Sequence, residues 1–260
     1  MSNQVACMSD TRKSKLSSKD RIIFALDFQS LKEATPLIRD LKDHVGLFKV
    51  GLTLLLSEGI KVINQIQDIT GDQKAKTFLD LKLGNRNDIP NQMLGMLSVL
   101  ISSSPGVEFI TVHMMQGEKI VKEVVDKFKN ETKVLGVTVL TSTSEEESKS
   151  LYGTDVLDSV IALSNTAKEA GCNGVVCSGR EVKAIKKLFG HGFITVTPGI
   201  RPSWSRIPND DQRRVTTPRE AIENGADYIV VGRPISLDKD PVGAADRISE
   251  EIAQALEQPE

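Results

Sequence analysis

Eight short runs of β-branched and apolar residues recur along this chain, and each leads into a longer stretch of different period. The runs lie at residues 21–27, 46–50, 75–82, 108–113, 133–140, 173–177, 193–197 and 228–232. Between and after them, apolar residues recur at three- and four-residue spacing, the pattern of a helix with one buried face. These stretches are 31–41, 59–69, 88–102, 117–128, 157–170, 181–188, 218–224 and 241–256. Ser30 and the pair Thr217-Pro218 stand where helix starts favour them, and Gly171, Gly190 and Gly225 stand at helix ends. Eight strands alternating with eight helices predict an α/β fold, a single-domain (β/α)8 barrel. A doubly wound open sheet would normally use fewer strands and carry a glycine-rich loop after the first. Here the first strand runs out as Ala25-Leu26-Asp27-Phe28-Gln29-Ser30, without such glycines.

The 260 residues are enough for one large domain, and 39% hydrophobic with 26% charged is an ordinary balance for a soluble protein. A net charge of −2 gives no bulk attraction to nucleic acid or membrane. No apolar run is long enough to span a bilayer. Residues 1–20 are polar and basic and lack the apolar core of a signal peptide, so they are expected to form a loosely ordered tail before a barrel over 21–260. Cys7, Cys172 and Cys177 have no metal-type spacing, which predicts free thiols and a cytoplasmic protein.

In a barrel of this kind the chemistry sits at the C-terminal ends of the strands. Read in order, those ends carry Asp27, Lys49, Asp80 with Lys82, His113, the run Thr141-Ser142-Thr143-Ser144, the run Thr197-Pro198-Gly199-Ile200-Arg201-Pro202, and Gly232-Arg233-Pro234. Asp80 and Lys82 are two apart in a strand and so share a face. Two acids and two lysines converge on one mouth, with Asp88 nearby. Asp80 and Lys82 on their own fit an edge ion pair as well as a functional site. Gly232-Arg233 fits a tight turn with a surface arginine, and beside the seventh-strand loop it fits a phosphate site. The loop over 199–216, with Gln212, Arg213 and Arg214, is long enough to be a lid. His113 is expected to be structural rather than a general acid.

Taken in order, these motifs resemble the orotidine 5′-monophosphate decarboxylase family from Arg21 to about Ala255. The matching pieces include Ala25-Leu26-Asp27, Lys49-Val50-Gly51, Phe78-Leu79-Asp80-Leu81-Lys82 and Asp88-Ile89-Pro90-Asn91. They continue with Thr197-Pro198-Gly199-Ile200-Arg201-Pro202, Asp211-Gln212-Arg213-Arg214-Val215 and Val230-Val231-Gly232-Arg233-Pro234. The resemblance implies decarboxylation of orotidine 5′-monophosphate to uridine 5′-monophosphate (UMP) without cofactor or metal. It implies that Asp27 and Lys49 hold the ribose. Asp80 lies against the substrate carboxylate, and Lys82 delivers the proton. Lys49, Asp80, Lys82 and Asp88 form a Lys-Asp-Lys-Asp array in which Asp88 enters the neighbouring subunit's site, so a homodimer is implied. Ser144, with Thr141, reads the pyrimidine, and Pro198 packs near it. Gln212, Gly232 and Arg233 bind phosphate.

The chain departs from the family pattern after Lys82. The family has its second aspartate three residues on, whereas Asp88 is six on, and Asn85 takes the counted position. The extra chain spans up to roughly 10 Å. Gln92 stands where the family has threonine. Two other readings follow: a Mg2+-dependent sugar-phosphate decarboxylase or aldolase of a related barrel, and a catalytically inactive nucleotide-binding barrel.

Overall fold

In the computed structural model, residues 16–59, 61–71, 76–84, 94–104 and 106–257 are described. Eight parallel strands close on themselves in sequence order: β1 (Ile22–Ala25), β2 (Leu47–Gly51), β3 (Thr77–Leu83), β4 (Val107–His113), β5 (Lys133–Val137), β6 (Gly174–Val176), β7 (Ile194–Thr197) and β8 (Tyr228–Val231). Closure is made by β1 against β8, with Ile22 beside Ile229 and Phe24 beside Val231. This is the (β/α)8 barrel that the alternation predicts.

Each strand is buried on both faces, as parallel strands are when helices cover the sheet. Period two sorts the side chains. Ile23, Ala25, Leu47, Phe78, Phe109, Leu135, Val196, Tyr228 and Val230 fill the lumen. Their odd-step neighbours, among them Ile22, Phe24, Phe48, Leu79 and Ile110, join the outer layer beneath the helices. At the bottom of the lumen Phe109 meets Phe78 and Tyr228 edge to face, at centroid separations of 5.9 and 5.1 Å.

The covering helices are α1 (Leu31–Leu41), α2 (Leu52–Glu58), α3 (Val62–Thr70), α4 (Leu94–Ser103), α5 (Glu118–Phe128), α6 (Glu145–Tyr152), α7 (Val156–Glu169), α8 (Val182–Phe189), α9 (Pro218–Glu223), α10 (Arg233–Ser236) and α11 (Pro241–Glu257). Ser30 caps α1 through the Glu33 amide, and Thr217 with Glu220 forms a reciprocal capping box on α9. The helix expected over 59–69 begins later, at Val62, and a separate α2 precedes it. Gly59, at φ 71°, ends α2 and prevents one continuous helix. The strand expected over 133–140 leaves the ladder after Val137. Residues 16–20, placed in the tail by composition, include the start of a 3-10 turn at Lys19–Arg21. Leu16 packs on the lumen cluster, and Ser18 meets Ser249 of α11 at 2.9 Å.

Candidate active site

The period that fills the lumen also builds the site. Two steps beyond Ala25 is Asp27, two beyond Leu47 is Lys49, and two and four beyond Phe78 are Asp80 and Lys82. All four line one cavity of about 270 Å³ at the C-terminal mouth. Val137, Val139, Thr141, Pro198 and Gly232 reach it by the same parity from β5, β7 and β8.

Charges alternate across that wall. Lys49 Nζ lies 2.9 Å from Asp27 Oδ1 and 3.8 Å from Asp80 Oδ2, and Lys82 Nζ lies 2.7 Å from Asp80 Oδ2. Burial pushes the Asp80 carboxyl up. Lys49 and Lys82, with hydrogen bonds from Lys82 and Thr111, outweigh burial and hold it below the usual carboxylate range. Asp80 is therefore ionised at neutral pH. β3 is irregular at this point. Its register against β4 shifts between Leu79 and Leu83, and Lys82 sits at φ 46°, in the left-handed region. Such a conformation costs of order 1–3 kcal/mol unless its surroundings enforce it. The enforcing contact is Thr111 on β4. Its hydroxyl accepts from the Lys82 amide at 2.8 Å and donates to Asp80 Oδ1 at 3.1 Å.

His113 stands nearby, and its Nδ1 accepts from the Met115 amide at 3.3 Å. Burial and then the Lys82 charge push its pKa down, so it is neutral and serves as a cap.

Across the mouth, the loop over 199–216 and the start of α10 bring Arg201, Gln212, Gly232 and Arg233 to the same cavity. Arg201 grips Asp210 with a fork, Nε to Oδ2 at 2.6 Å and Nη2 to Oδ1 at 2.7 Å. Arg233 Nη2 donates to Asp210 Oδ1 at 2.9 Å and also to Asp211. Hydrogen bonding from Arg201 holds Asp210 below the usual range. Asp211 is also lowered: modest burial would raise it, and Arg233 prevails. Gln212 bridges the loops, accepting from the Thr141 hydroxyl at 2.5 Å and donating to Asp211 at 3.1 Å.

Two contacts fix the loop over 199–216, one buried and one at the surface. Arg214 reaches Glu181 at 2.8 Å and the carbonyls of Val139 and Leu140 at 2.9 and 2.8 Å. Trp204 is covered by the Arg247 guanidinium of α11, 4.3 Å from its ring centre.

Of the residues singled out by sequence, Asp27, Lys49, Asp80, Lys82, Thr141, Pro198, Gln212, Gly232 and Arg233 surround the one cavity. Ser144 stands outside its lining. Its hydroxyl caps α6 in a capping box with Glu147, and Ser142 lines the cavity instead. Asp88 lies outside the described residues. Sequence reasoning assigned no role to Thr111, Arg201, Ser142, Asp210 or Asp211. An acidic pair directly before Gln212, in a loop rich in arginine, was the available signal for the last two.

Fold and site together define a (β/α)8-barrel enzyme whose mouth sets an alternating lysine–aspartate array opposite paired arginines. The chain belongs to the orotidine 5′-phosphate decarboxylase / HUMPS family, whose profile matches residues 20–248. It is 42% identical over 243 residues to the orotidine 5′-phosphate decarboxylase of Desulfosudis oleivorans, covering 92% of this chain and 95% of that one. With its counterpart from Syntrophomonas wolfei it shares 39% over 250 residues, covering 92% and 100%. The crystal structure of orotidine 5′-phosphate decarboxylase from Lactobacillus acidophilus superposes with a TM-score of 0.72 at 32% identity. That match covers 89% of this chain and 98% of the other.

Proposed function

We propose that this chain decarboxylates orotidine 5′-monophosphate to UMP, the last step in forming that nucleotide, and that its own side chains supply the chemistry. The observation that carries this reading is the Lys49–Asp80–Lys82 array at the mouth of a family barrel.

The bond from C6 to the carboxylate breaks, CO2 leaves, and the electron pair stays on C6. No conjugated group accepts that pair, so fixed positive charge has to stabilise it. The Lys82 ammonium, held at Asp80, is assigned to stabilise the carbanion and then give it a proton. Solvent reloads the amine. The ionised Asp80 beside the substrate carboxylate would raise the energy of the bound ground state, which departure of CO2 relieves. Asp27 and Lys49 are assigned to the ribose hydroxyls, Thr141 and Pro198 to the pyrimidine, and Gln212, Gly232 and Arg233 to the phosphate. Arg201, sharing Asp210 with Arg233, adds a second guanidinium there. Binding energy from the phosphate end is expressed at C6 by ordering the lid. Asp88 is assigned to the partner's array in a homodimer with shared sites. A cytoplasmic location is consistent with Cys172 and Cys177, both free and buried. Among the described residues no helix is long and apolar enough to cross a membrane.

The test is loss of orotidine 5′-monophosphate absorbance with purified protein in EDTA, without added cofactor. Conversion to UMP supports the assignment. Binding of UMP without conversion selects the inactive barrel, and conversion of a sugar phosphate that EDTA abolishes selects the Mg2+-dependent relatives.

A further inference from the structure

We propose that Asp211 is a displaceable internal counter-ion: it occupies the anion site while no phosphate is bound and has to leave Arg233 for one to enter. The inference rests on the assignment of Arg233 and Gln212 to phosphate. Both donors are already taken by one carboxylate. Arg233 donates to Asp211 Oδ1, and Gln212 Nε2 donates to Asp211 Oδ2 at 3.1 Å. Two carboxylate oxygens on two converging donors imitate two oxygens of a phosphate.

The neighbouring Asp210 has a different part. Its carboxylate is forked onto Arg201 and only 23% exposed, so it fixes that guanidinium in place. Asp211 is 64% exposed, so solvent screens its attraction to Arg233 and little holds it there. Charge gives the direction. Arg201 and Arg233 against Asp210 and Asp211 sum to zero. A phosphate dianion added with both aspartates in place would set four negative charges against two positive ones within a few ångströms, which Coulomb repulsion disfavours. With Asp211 swung out, the site comes close to balance.

A destination for the carboxylate exists. A surface groove beside the loop has Asp210, Asp211, Ser142, Thr143, Glu147 and Arg213 in its lining. Arg213 is 59% exposed and loosely paired to Glu147 at 3.7 Å. An Asp211 that rotates outward thus exchanges Arg233 for Arg213 and two hydroxyl groups. The device costs affinity for every phosphate-bearing ligand alike, product included, and so favours release of UMP.

The experiment is calorimetric titration of inorganic phosphate, UMP and uridine into wild-type protein and the variants Asp211→Asn, Asp210→Asn and Arg233→Ala. Asp211 is exposed, so its substitution leaves folding intact. Asp211→Asn is expected to tighten phosphate and UMP by about two- to five-fold, the size of an exposed ion pair, and to leave uridine unchanged. Asp210→Asn is expected to weaken both phosphate ligands, because Arg201 loses its fork. If Arg233→Ala abolishes phosphate binding while Asp211→Asn leaves it unchanged or weaker, the counter-ion role is wrong and the site stands. If Arg233→Ala binds phosphate as wild type does, the site assignment fails and the counter-ion role fails with it.

Discussion

Removing Arg214 should unfold this barrel more readily than any single change at its mouth. The guanidinium is buried against a buried Glu181, donating to it at 2.8 Å and to the carbonyls of Val139 and Leu140. In Arg214→Ala the Glu181 carboxylate keeps the Ser178 amide at 2.9 Å, and the buried Val139 carbonyl loses the guanidinium donor, while the Leu140 carbonyl keeps the Thr143 amide at 2.9 Å. Breaking a buried pair from one side costs about 3–5 kcal/mol. For a protein of this size 1 kcal/mol is about 2–4 °C in Tm, so a fall of roughly 6–20 °C is expected. Circular-dichroism melts at one fixed protein concentration measure it.

The pH dependence of that loss has a defined sign. Burial already raises the Glu181 pKa against the opposing charge of Arg214. Without the arginine it rises further, so the folded variant holds its proton more tightly than the unfolded chain does. Stability of Arg214→Ala therefore declines as pH rises from the ordinary glutamate value near 4.3. The added change Glu181→Gln, which is neutral at every pH, should recover much of the loss at pH 8 and little at pH 5. A destabilisation under about 1 kcal/mol, or one equal at both pH values, would refute the reasoning.

Three further outcomes follow from the array. Lys82→Ala should cut turnover by at least the roughly 10²–10⁴-fold typical of a lost proton donor, while UMP, held by the distant arginines, still binds by calorimetry; near-normal turnover would remove Lys82 from the mechanism. Asp80 has a depressed folded pKa, so it contributes stability above the ordinary aspartate value near 3.9 that vanishes as pH falls through the depressed one. The stability gap between wild type and Asp80→Asn, from guanidinium titrations, should narrow between pH 6 and pH 3, and a constant gap would contradict this. Thr111→Val leaves the Lys82 amide without its acceptor and should cost about 1–3 kcal/mol. It should also lower kcat with inorganic phosphate affinity unchanged, and equal losses in both would reduce Thr111 to a packing role.

The sequence was most legible where a period operates. The order of strands put Asp27, Lys49, Asp80 and Lys82 at the C-terminal ends of three successive strands, with Asp80 and Lys82 on one face, and in the structure Ala25, Leu47 and Phe78 two residues earlier are lumen residues. Loops have no period. Nothing in Thr141-Ser142-Thr143-Ser144 says which hydroxyl turns inward, and the helix that follows claimed Ser144 for its cap. The pairing of Asp210 and Asp211 with two arginines depends on the path of the loop over 199–216, and two of its fixing contacts, Arg214 to Glu181 and Trp204 to Arg247, join residues more than thirty positions apart. Thr111 was hidden for another reason: in sequence it is one more β-branched strand residue.

The two halves of the site are stabilised in different ways, and this accounts for their different readability. The lysine–aspartate half is assembled on strands. Its charges satisfy one another, and the one strained residue, Lys82, is held by a hydroxyl from the next strand. It therefore needs no ligand to take its shape, as electrostatic preorganisation requires. The arginine half is assembled on the loop over 199–216 and a four-residue helix, and it reaches charge balance with its own carboxylates. On the counter-ion proposal, a ligand that brings a phosphate replaces an internal anion there and meets the Lys49–Asp80–Lys82 array on the opposite wall. The lysine–aspartate geometry is thus kept on the strands, while the arginine half, on the loop over 199–216 and α10, is the part left to adjust to a ligand.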